Sequence, residues 1–316
     1  MPEIRNDPVR GHSVIVAEER EGRPREFMRT DAPGDPAVCP FCPGREDRTP
    51  PESDAVGPPG RRPDTPGWTA RVVPNKFPVV GGTRRPAPGA EPAPGVHEVL
   101  VETADHHARR VGAGGLAMVR ARLRRLRGTP AGRYRIAFKN RGDRAGATLS
   151  HPHVQILGMG AIPPRVLAEL DRLRAVRERE GCLDCRAAGE SGERTLFRRD
   201  GLVALAPFAA RVPYETWILP VRHTPRFEET PDADLESLAG SMTTLLDRFD
   251  ALFDTPPGNW ILHTAPDHKA GDAYHWRMEL FPKLGHTGGF EWGTGMTVNI
   301  VSPETAVRRL RGAGEA

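Results

Sequence analysis

No stretch of this chain approaches the roughly 18 consecutive apolar residues that a membrane-spanning helix needs, so a helical membrane protein is excluded. The opening segment, MPEIRNDPVRGHSVIV, lacks an apolar core behind a basic start. No secretory signal is expected there, and the cytoplasm is the expected location. Neither sign of charge dominates: 45 Lys and Arg face 41 Asp and Glu, for a net charge of +4. The charges are interspersed, which leaves no broad basic face for a nucleic-acid backbone. Neither nucleic acid nor membrane is an expected partner. The densest basic run, Arg120 to Arg127, falls in a helical pattern and is expected to be a solvated face. Aromatic residues are scarce at 6%, whereas the 33 prolines imply many irregular connections.

Cysteine is nearly absent as well. The four present form two Cys-x-x-Cys pairs, Cys39/Cys42 and Cys182/Cys185. A cytosolic chain rarely keeps structural disulfides, and paired spacing favours metal. Redox use is the rival reading. A thioredoxin-like motif should open a helix after a strand, however, and Cys39-Pro-Phe-Cys42 sits in a Pro/Gly-rich loop.

The 316 residues suffice for two domains of ordinary size. In the first half, β-branched segments at Ser13–Ala17, Ala70–Val73, His97–Glu102 and Tyr134–Phe138 read as strands around Pro/Gly-rich loops at 43–67 and 81–95. A helix is expected over Asp105–Arg127, weakened by Gly112, Gly114 and Gly115. A strand at Val154–Leu157 and a helix at Arg165–Glu180 follow, the helix with apolar residues at helical spacing. The pattern then restarts. Strands are expected near Leu202–Ala206, Thr216–Leu219, Trp260–His263, His275–Phe281 and Met296–Val301. Helices are expected at Asp232–Leu252 and Pro303–Arg311, with a Gly-rich loop at Gly285–Gly295.

Side by side, the halves carry the same order of ligand-type residues. The first reads Cys39, Cys42, His106, His151; the second reads Cys182, Cys185, His223, His275. Each set offers two thiolates and two imidazoles, which suits tetrahedral zinc. The expected division is therefore a duplication, with units at 1–163 and 164–316.

The chemistry concentrates in Phe138-Lys-Asn140-Arg-Gly142-Asp-Arg-Ala-Gly146-Ala-Thr148-Leu-Ser150-His151-Pro-His153-Val-Gln155. A strand enters a glycine-bearing loop that returns to a second strand. His151, His153 and Gln155 alternate, so they share one strand face. Gly142 and Gly146 let backbone N–H groups approach an anion, and Asn140 and Thr148 add neutral donors. A neutral imidazole can attack phosphorus and leave again from a phosphoramidate, splitting one transfer into two easier steps. The bland alternative makes both histidines ligands of one metal, with no nucleophile.

At these residues the chain resembles the galactose-1-phosphate uridylyltransferase branch of the histidine-triad superfamily. The resemblance spans nearly the whole chain. Its landmarks are Arg20-x-x-Arg23-Pro, Cys39-Pro-Phe-Cys42, Pro74-Asn75-Lys-Phe77-Pro, His97-Glu-Val-Leu-Val-Glu102, His151-Pro-His153-x-Gln155 and Gly289-Phe-Glu291-Trp-Gly-Thr-Gly295. It implies an α+β fold of two tandem histidine-triad-like domains, each a mainly antiparallel sheet with flanking helices. It implies that His153 becomes nucleotidylated and that Gln155 contacts the transferred phosphoryl group. Arg20, Arg23, Asn75, Phe77, Asn140, Gly146 and Thr148 would line the nucleotide site, and Glu291 would hold sugar hydroxyls. Zinc would sit on Cys39, Cys42, His106 and His151, with a second zinc on Cys182, Cys185, His223 and His275. The implied substrates are a nucleotide sugar and a sugar 1-phosphate, as in galactose metabolism, exchanged by a ping-pong reaction in a homodimer. An ADP-glucose-type phosphorylase, a transferase of specialised sugar metabolism and a non-catalytic nucleotide- or zinc-binding module are the alternatives. One expected role has no counterpart in the second half: Arg277 stands where His153 would be, and arginine cannot be a neutral nucleophile.

Overall fold

The computed structural model describes residues 2–18, 34–81, 87–110 and 112–314. Arg20 and Arg23 lie outside the described residues. Thirteen strands and six α-helices follow one another along the described chain. The first half contains β1 (Glu3–Asn6), β2 (Ser13–Val16), β3 (Asp54–Val56), β4 (Ala70–Pro74), β5 (Gly95–Val101), α1 (Ala113–Leu126), β6 (Tyr134–Arg141) and β7 (His153–Met159). Helices α2 (Pro164–Glu180) and α3 (Leu183–Gly189) lead to β8 (Thr195–Arg199), β9 (Leu202–Leu205), β10 (Thr216–Pro220), α4 (Asp232–Phe253), β11 (Gly258–His263) and β12 (Arg277–Pro282). Helix α5 (Gly289–Thr294), β13 (Thr297–Asn299) and α6 (Pro303–Gly312) close the fold.

Ten strands form a single sheet in the order β3-β4-β5-β7-β6-β11-β12-β10-β9-β8. Read inward from either edge, each half contributes its first, second, third, fifth and fourth strand. The halves meet at the antiparallel β6–β11 pair, where Asn140 opposes Asn259 and Phe138 opposes Ile261. The α+β class with two like halves is therefore what the chain adopts. Strands β1 and β2 stand apart. They pair with β13 in a small sheet, and Ala17 N–H donates to Asn299 O at 2.8 Å.

The core lies on one face of the large sheet, under α1 and α4. Leu116, Val119, Leu123 and Leu126 of α1 repeat at intervals of three and four, as do Leu235, Leu238, Met242, Leu245 and Phe249 of α4. That spacing gives each helix one apolar stripe, and each such side chain buried stabilises by about 1.5–3 kcal/mol. Helix α1 begins at Ala113, not near Asp105. Before it, Thr103 Oγ1 accepts from Asp105 N–H, and Asp105 Oδ1 accepts from His107 N–H at 2.9 Å. These local bonds compete with helix formation, and Gly112 then caps the helix in extended geometry.

The basic run of α1 is not merely solvated. Arg122 is buried and pairs with Glu98 of β5, while Arg120 and Arg127 reach Asp232 and Glu229. Periodicity shows which face is apolar but not which distant carboxylates meet it. The expected loop at Gly285–Gly295 contains the short helix α5, and β1, β3, α3 and β8 are additional to the sequence reading. Cys182–Cys185 opens α3, after a helix and not after a strand, and Cys182 Sγ accepts from Cys185 N–H at 3.4 Å.

One buried ion pair pins the centre of the sheet. The fully buried Arg135 of β6 donates to Glu228 at 2.7 Å and to Ala265 O at 2.8 Å, and Thr264, just after β11, donates to the same carboxylate. Removing one partner of a buried pair strands the other. Glu228→Ala is expected to lower stability in urea unfolding by about 3 kcal/mol, the low end of that range because Asp267 also touches Arg135. A loss under about 1 kcal/mol would show that the pair is not such a pin.

Candidate active site and metal centres

Alternation along β6 and β7 builds the candidate site. Val154 and Ile156 point into the helix-side core, so His153 and Gln155 occupy the opposite face. Gln155 opposes Phe138 across the β6–β7 pair. Continuing that register brings Asn140 to the same face, next to His153.

His153 is buried, and its Nδ1–H donates to the carbonyl oxygen of His151 at 2.8 Å. A carbonyl only accepts, so the proton is on Nδ1 and the lone pair is on Nε2. Burial above all holds the His153 imidazole below its ordinary pKa, against that hydrogen bond; nearby Lys139 adds to the lowering. Phe41, from the first Cys-x-x-Cys loop, meets the ring edge-on at 5.3 Å between centroids. Lys139 and Glu102 form an ion pair beside it, so the surroundings of the ring carry no net charge from these two.

Gln155 is braced by a residue the sequence reading did not single out as part of the site. His97 of β5 places Nε2 2.9 Å from Gln155 Oε1, while its Nδ1 accepts Val79 N–H at 3.2 Å. Among the described residues the Gln155 amide nitrogen is left without a partner, available to donate. Burial lowers the His97 pKa, which keeps the ring in the neutral form this arrangement needs. Asn75 N–H donates to His97 O at 2.8 Å and Asn75 Oδ1 accepts Phe77 N–H at 2.8 Å, so the Pro74–Pro78 segment is tied to the same cluster. Phe77 itself is 81% exposed, an unsatisfactory setting for a large apolar ring unless something covers it.

The turn after β6 is shaped by its glycines. Gly142 and Gly146 have φ of 86° and 89°, and a Cβ on Gly146 would lie 3.3 Å from Asn140 Nδ2. Asn140 donates to Gly146 O at 3.2 Å. Asn259, contributed across the β6–β11 junction, donates to Asn140 Oδ1 at 2.8 Å and to Ala145 O at 2.9 Å. It too was missed, because only the pairing of the halves brings it there. Thr148 is exposed in the connection that follows. Glu291 is not brought to this cluster. It lies on α5, and its carboxylate accepts Gly288 N–H at 2.9 Å.

Both four-residue sets assemble. In each, one ligand-type atom per residue lies within 4.8 Å of all the others. Cys42 Sγ is 3.3 Å from His106 Nδ1 and 3.6 Å from His151 Nδ1, and Cys39 Sγ is 3.7 Å from His151 Nδ1. In the second set the matching separations are 3.4, 3.5 and 3.7 Å for Cys185–His223, Cys185–His275 and Cys182–His275. A tetrahedron with zinc–sulfur and zinc–nitrogen bonds of ordinary length has S···N edges of about 3.5 Å. The far ring nitrogens are held as in metal sites: His151 Nε2 lies 2.8 Å from Thr103 O, His106 Nε2 2.9 Å from Ser150 Oγ, His275 Nε2 2.9 Å from Pro220 O and His223 Nε2 3.0 Å from Asp272 O. Burial and the neighbouring Cys39 push the Cys42 thiol up to about 11, and burial and Cys182 push Cys185 up to about 12. Two thiolates this close repel, and a divalent cation between them removes that penalty. The donor sets fit a metal ion.

The second half's counterpart of the His153 face is closed. Arg277 is buried and donates to Glu279 at 3.0 Å, to Glu169 at 3.3 Å and to Tyr274 Oη at 3.2 Å. Glu279, in the place of Gln155, also meets Arg211 and His263.

Two like halves share one sheet, with a tautomer-fixed histidine on a central strand of the first and Arg277 in its place in the second, and the relatives of this chain make it a nucleotidyltransferase. No family model matches the chain. ADP-glucose phosphorylase of Arabidopsis thaliana is 32% identical over 98% of this chain and 92% of its own length. Galactose-1-phosphate uridylyltransferase of Thermotoga maritima is 29% identical over 98% of both chains. The crystal structure of the Arabidopsis enzyme with bound ADP-glucose superposes with a TM-score of 0.83, covering 98% of this chain and 99% of that one at 30% identity. The chain belongs to the galactose-1-phosphate uridylyltransferase family.

Asn259→Ala removes the donor that holds both Asn140 Oδ1 and Ala145 O. Amide hydrogen exchange across residues 142–147 should accelerate, with a stability loss of about 1 kcal/mol. Unchanged exchange would mean that the glycine turn holds itself.

Proposed function

We propose that this chain transfers a nucleotidyl group through His153, most directly as a hexose-1-phosphate uridylyltransferase. The observation that carries the reading is the Nδ1–H bond to His151 O, which leaves Nε2 as the nucleophilic atom beside the braced Gln155. Nε2 attacks the α-phosphorus of a nucleotide sugar such as UDP-glucose. The P–N bond forms, the bond to the bridging oxygen breaks, and the sugar 1-phosphate leaves with the electron pair. The imidazole becomes cationic with its proton still on Nδ1, and the His151 carbonyl stabilises that charge. A phosphate oxygen of the acceptor, galactose 1-phosphate in this reading, then attacks phosphorus and the P–N bond breaks, returning the neutral ring.

In this reading Gln155 donates to a phosphoryl oxygen without adding negative charge. Asn140, Gly146 and Thr148 line the phosphate side of the nucleotide, and Asn75, Phe77, Arg20 and Arg23 its nucleoside side. Zinc at Cys39, Cys42, His106 and His151 is structural, since four protein ligands leave no position for water; zinc at Cys182, Cys185, His223 and His275 serves the second half in the same way. Residues 1–163 and 164–316 are the two units. The chain acts in the cytoplasm as a homodimer in which Glu291 meets sugar hydroxyls.

A second reading, phosphorolysis of an ADP-sugar, is favoured by the higher identity to the Arabidopsis phosphorylase. One experiment separates the two and tests both. The protein is incubated with α-labelled UDP-glucose or ADP-glucose, then chased with galactose 1-phosphate or inorganic phosphate. Acid-labile label from UDP-glucose that galactose 1-phosphate discharges supports the first reading. Label from ADP-glucose that phosphate discharges supports the second. His153→Ala should abolish labelling and leave zinc content unchanged; loss of metal in that variant would mean that ligand and nucleophile are misassigned. An intact, metal-replete chain that takes no label from either nucleotide contradicts a transferase and favours a binding module.

A further inference from the structure

A nucleotidyl-histidine has two competitors for its phosphorus. One is the acceptor phosphate, which is dilute; the other is water, which is not. A transferase therefore has to keep water from the reactive bond while it admits the acceptor. His153 is only 8% exposed although it stands on the substrate face of the sheet. Part of its cover comes from Phe41, a residue that belongs to neither the ligand sets nor the nucleotide set.

Phe41 is held from both ends. It lies between Cys39 and Cys42, and its N–H donates to Cys39 Sγ at 3.4 Å. Cys42 N–H closes the same turn on Cys39 O at 3.5 Å. The Phe41 ring meets His153 at 5.3 Å between centroids, with 64° between the planes. It also meets His151 of the first cluster, at 6.2 Å and 88°. Such edge contacts favour a defined ring orientation. A metal bound by Cys39, Cys42 and His151 holds every neighbour that sets this ring against His153.

The second half carries a different residue at this position. Phe41 is two residues after the first cysteine of its pair, and the same place in the second pair is Asp184. Asp184 is buried, and its two oxygens accept from Arg10 Nη2 at 3.1 Å each. Arg10 lies over the Trp217 ring at 4.0 Å, and Arg277 lies over the same ring at 5.1 Å. In both halves, then, this turn addresses the side chain at the nucleophile position. Where that side chain is Arg277, the turn offers an acid to the surrounding charges. Where it is His153, the turn offers an apolar ring.

We propose that Phe41 decides between transfer and hydrolysis, by keeping water from the phosphorus–nitrogen bond of nucleotidyl-His153; this rests on the nucleotidyl-transfer reading above. In the reaction it suppresses, water attacks phosphorus and the P–N bond breaks. The electron pair returns to Nε2, a proton from the water goes to solvent, and a nucleoside monophosphate leaves. With the ring in place, attack is left to an acceptor that the site itself binds and aligns.

Phe41→Leu, Phe41→Val and Phe41→Ala form a series of falling bulk, each checked first for zinc content; a variant that loses zinc is replaced by its larger neighbour. Each protein is loaded with α-labelled UDP-glucose or ADP-glucose, desalted, and left without acceptor. Phe41→Ala should lose its label as nucleoside monophosphate about tenfold faster than wild type, Phe41→Val less so, and Phe41→Leu at close to the wild-type rate. A packing defect alone would slow loading without raising loss to water. A second measurement needs no nucleotide. The unloaded chains react with diethyl pyrocarbonate, and peptide mapping reads modification at His153, which should be faster in Phe41→Ala and near wild type in Phe41→Leu. The proposal is overturned if Phe41→Ala keeps its label as long as wild type, or if His153 reacts no faster in that variant. A wild type that takes no label defeats the transfer reading instead, and the reagent rates then uphold or overturn the cover over His153 by themselves.

Discussion

The 2.8 Å hydrogen bond from His153 Nδ1–H to the His151 carbonyl is the interaction on which the site depends. It sets the tautomer, and the tautomer decides which nitrogen keeps its lone pair. The carbonyl can do this only if its own position is fixed. That position is set from two sides. The His151 ring lies among Cys39, Cys42 and His106, with its far nitrogen on Thr103 O. The backbone of Pro152 accepts Glu102 N–H from the end of β5. A residue that reaches into a metal-type cluster with its side chain thus positions its neighbour with its main chain. Preorganisation of this kind lowers the reorganisation needed during reaction.

The same sheet carries the arrangement twice, and only the first copy places a neutral histidine on its face where the second has Arg277. The second cluster assembles with nearly the same separations as the first. Beyond it the chemistry is sealed, because Arg277 and Glu279 neutralise one another together with Glu169 and Arg211. Such a network is costly to bury but costlier to break in part. The second half still reaches the first, since Asn259 crosses the β6–β11 junction to hold the turn after β6. The two halves share their frame, and the histidine and glutamine face belongs to the first alone.

Much of this was legible in the residues, for physical reasons. Alternating and helical apolar spacing located most strands and the two long helices. The repeated Cys, Cys, His, His order located both clusters, because each ligand sits at a strand end or tight turn that pattern can mark. Less legible were short elements without an apolar stripe, such as β3 and α5, and the true start of α1, where side chains of Thr103 and Asp105 capture the backbone first. His97 and Asn259 could not be read as site residues, although His97 lay in a quoted motif. Their roles come from cross-strand register, which no local pattern encodes. Arg122 was taken as solvated because its partner Glu98 lies on a different element.

The central claim is that each chain carries one nucleophile, held by His151 and without a counterpart in the second half. Intact-mass measurement of the rapidly quenched protein after exposure to excess UDP-glucose or ADP-glucose, followed by peptide mapping, tests it most directly. The account predicts a mass increase of a single nucleotidyl group per chain, located on the His153 peptide. A second increment, or a single one mapping to another residue, would contradict it.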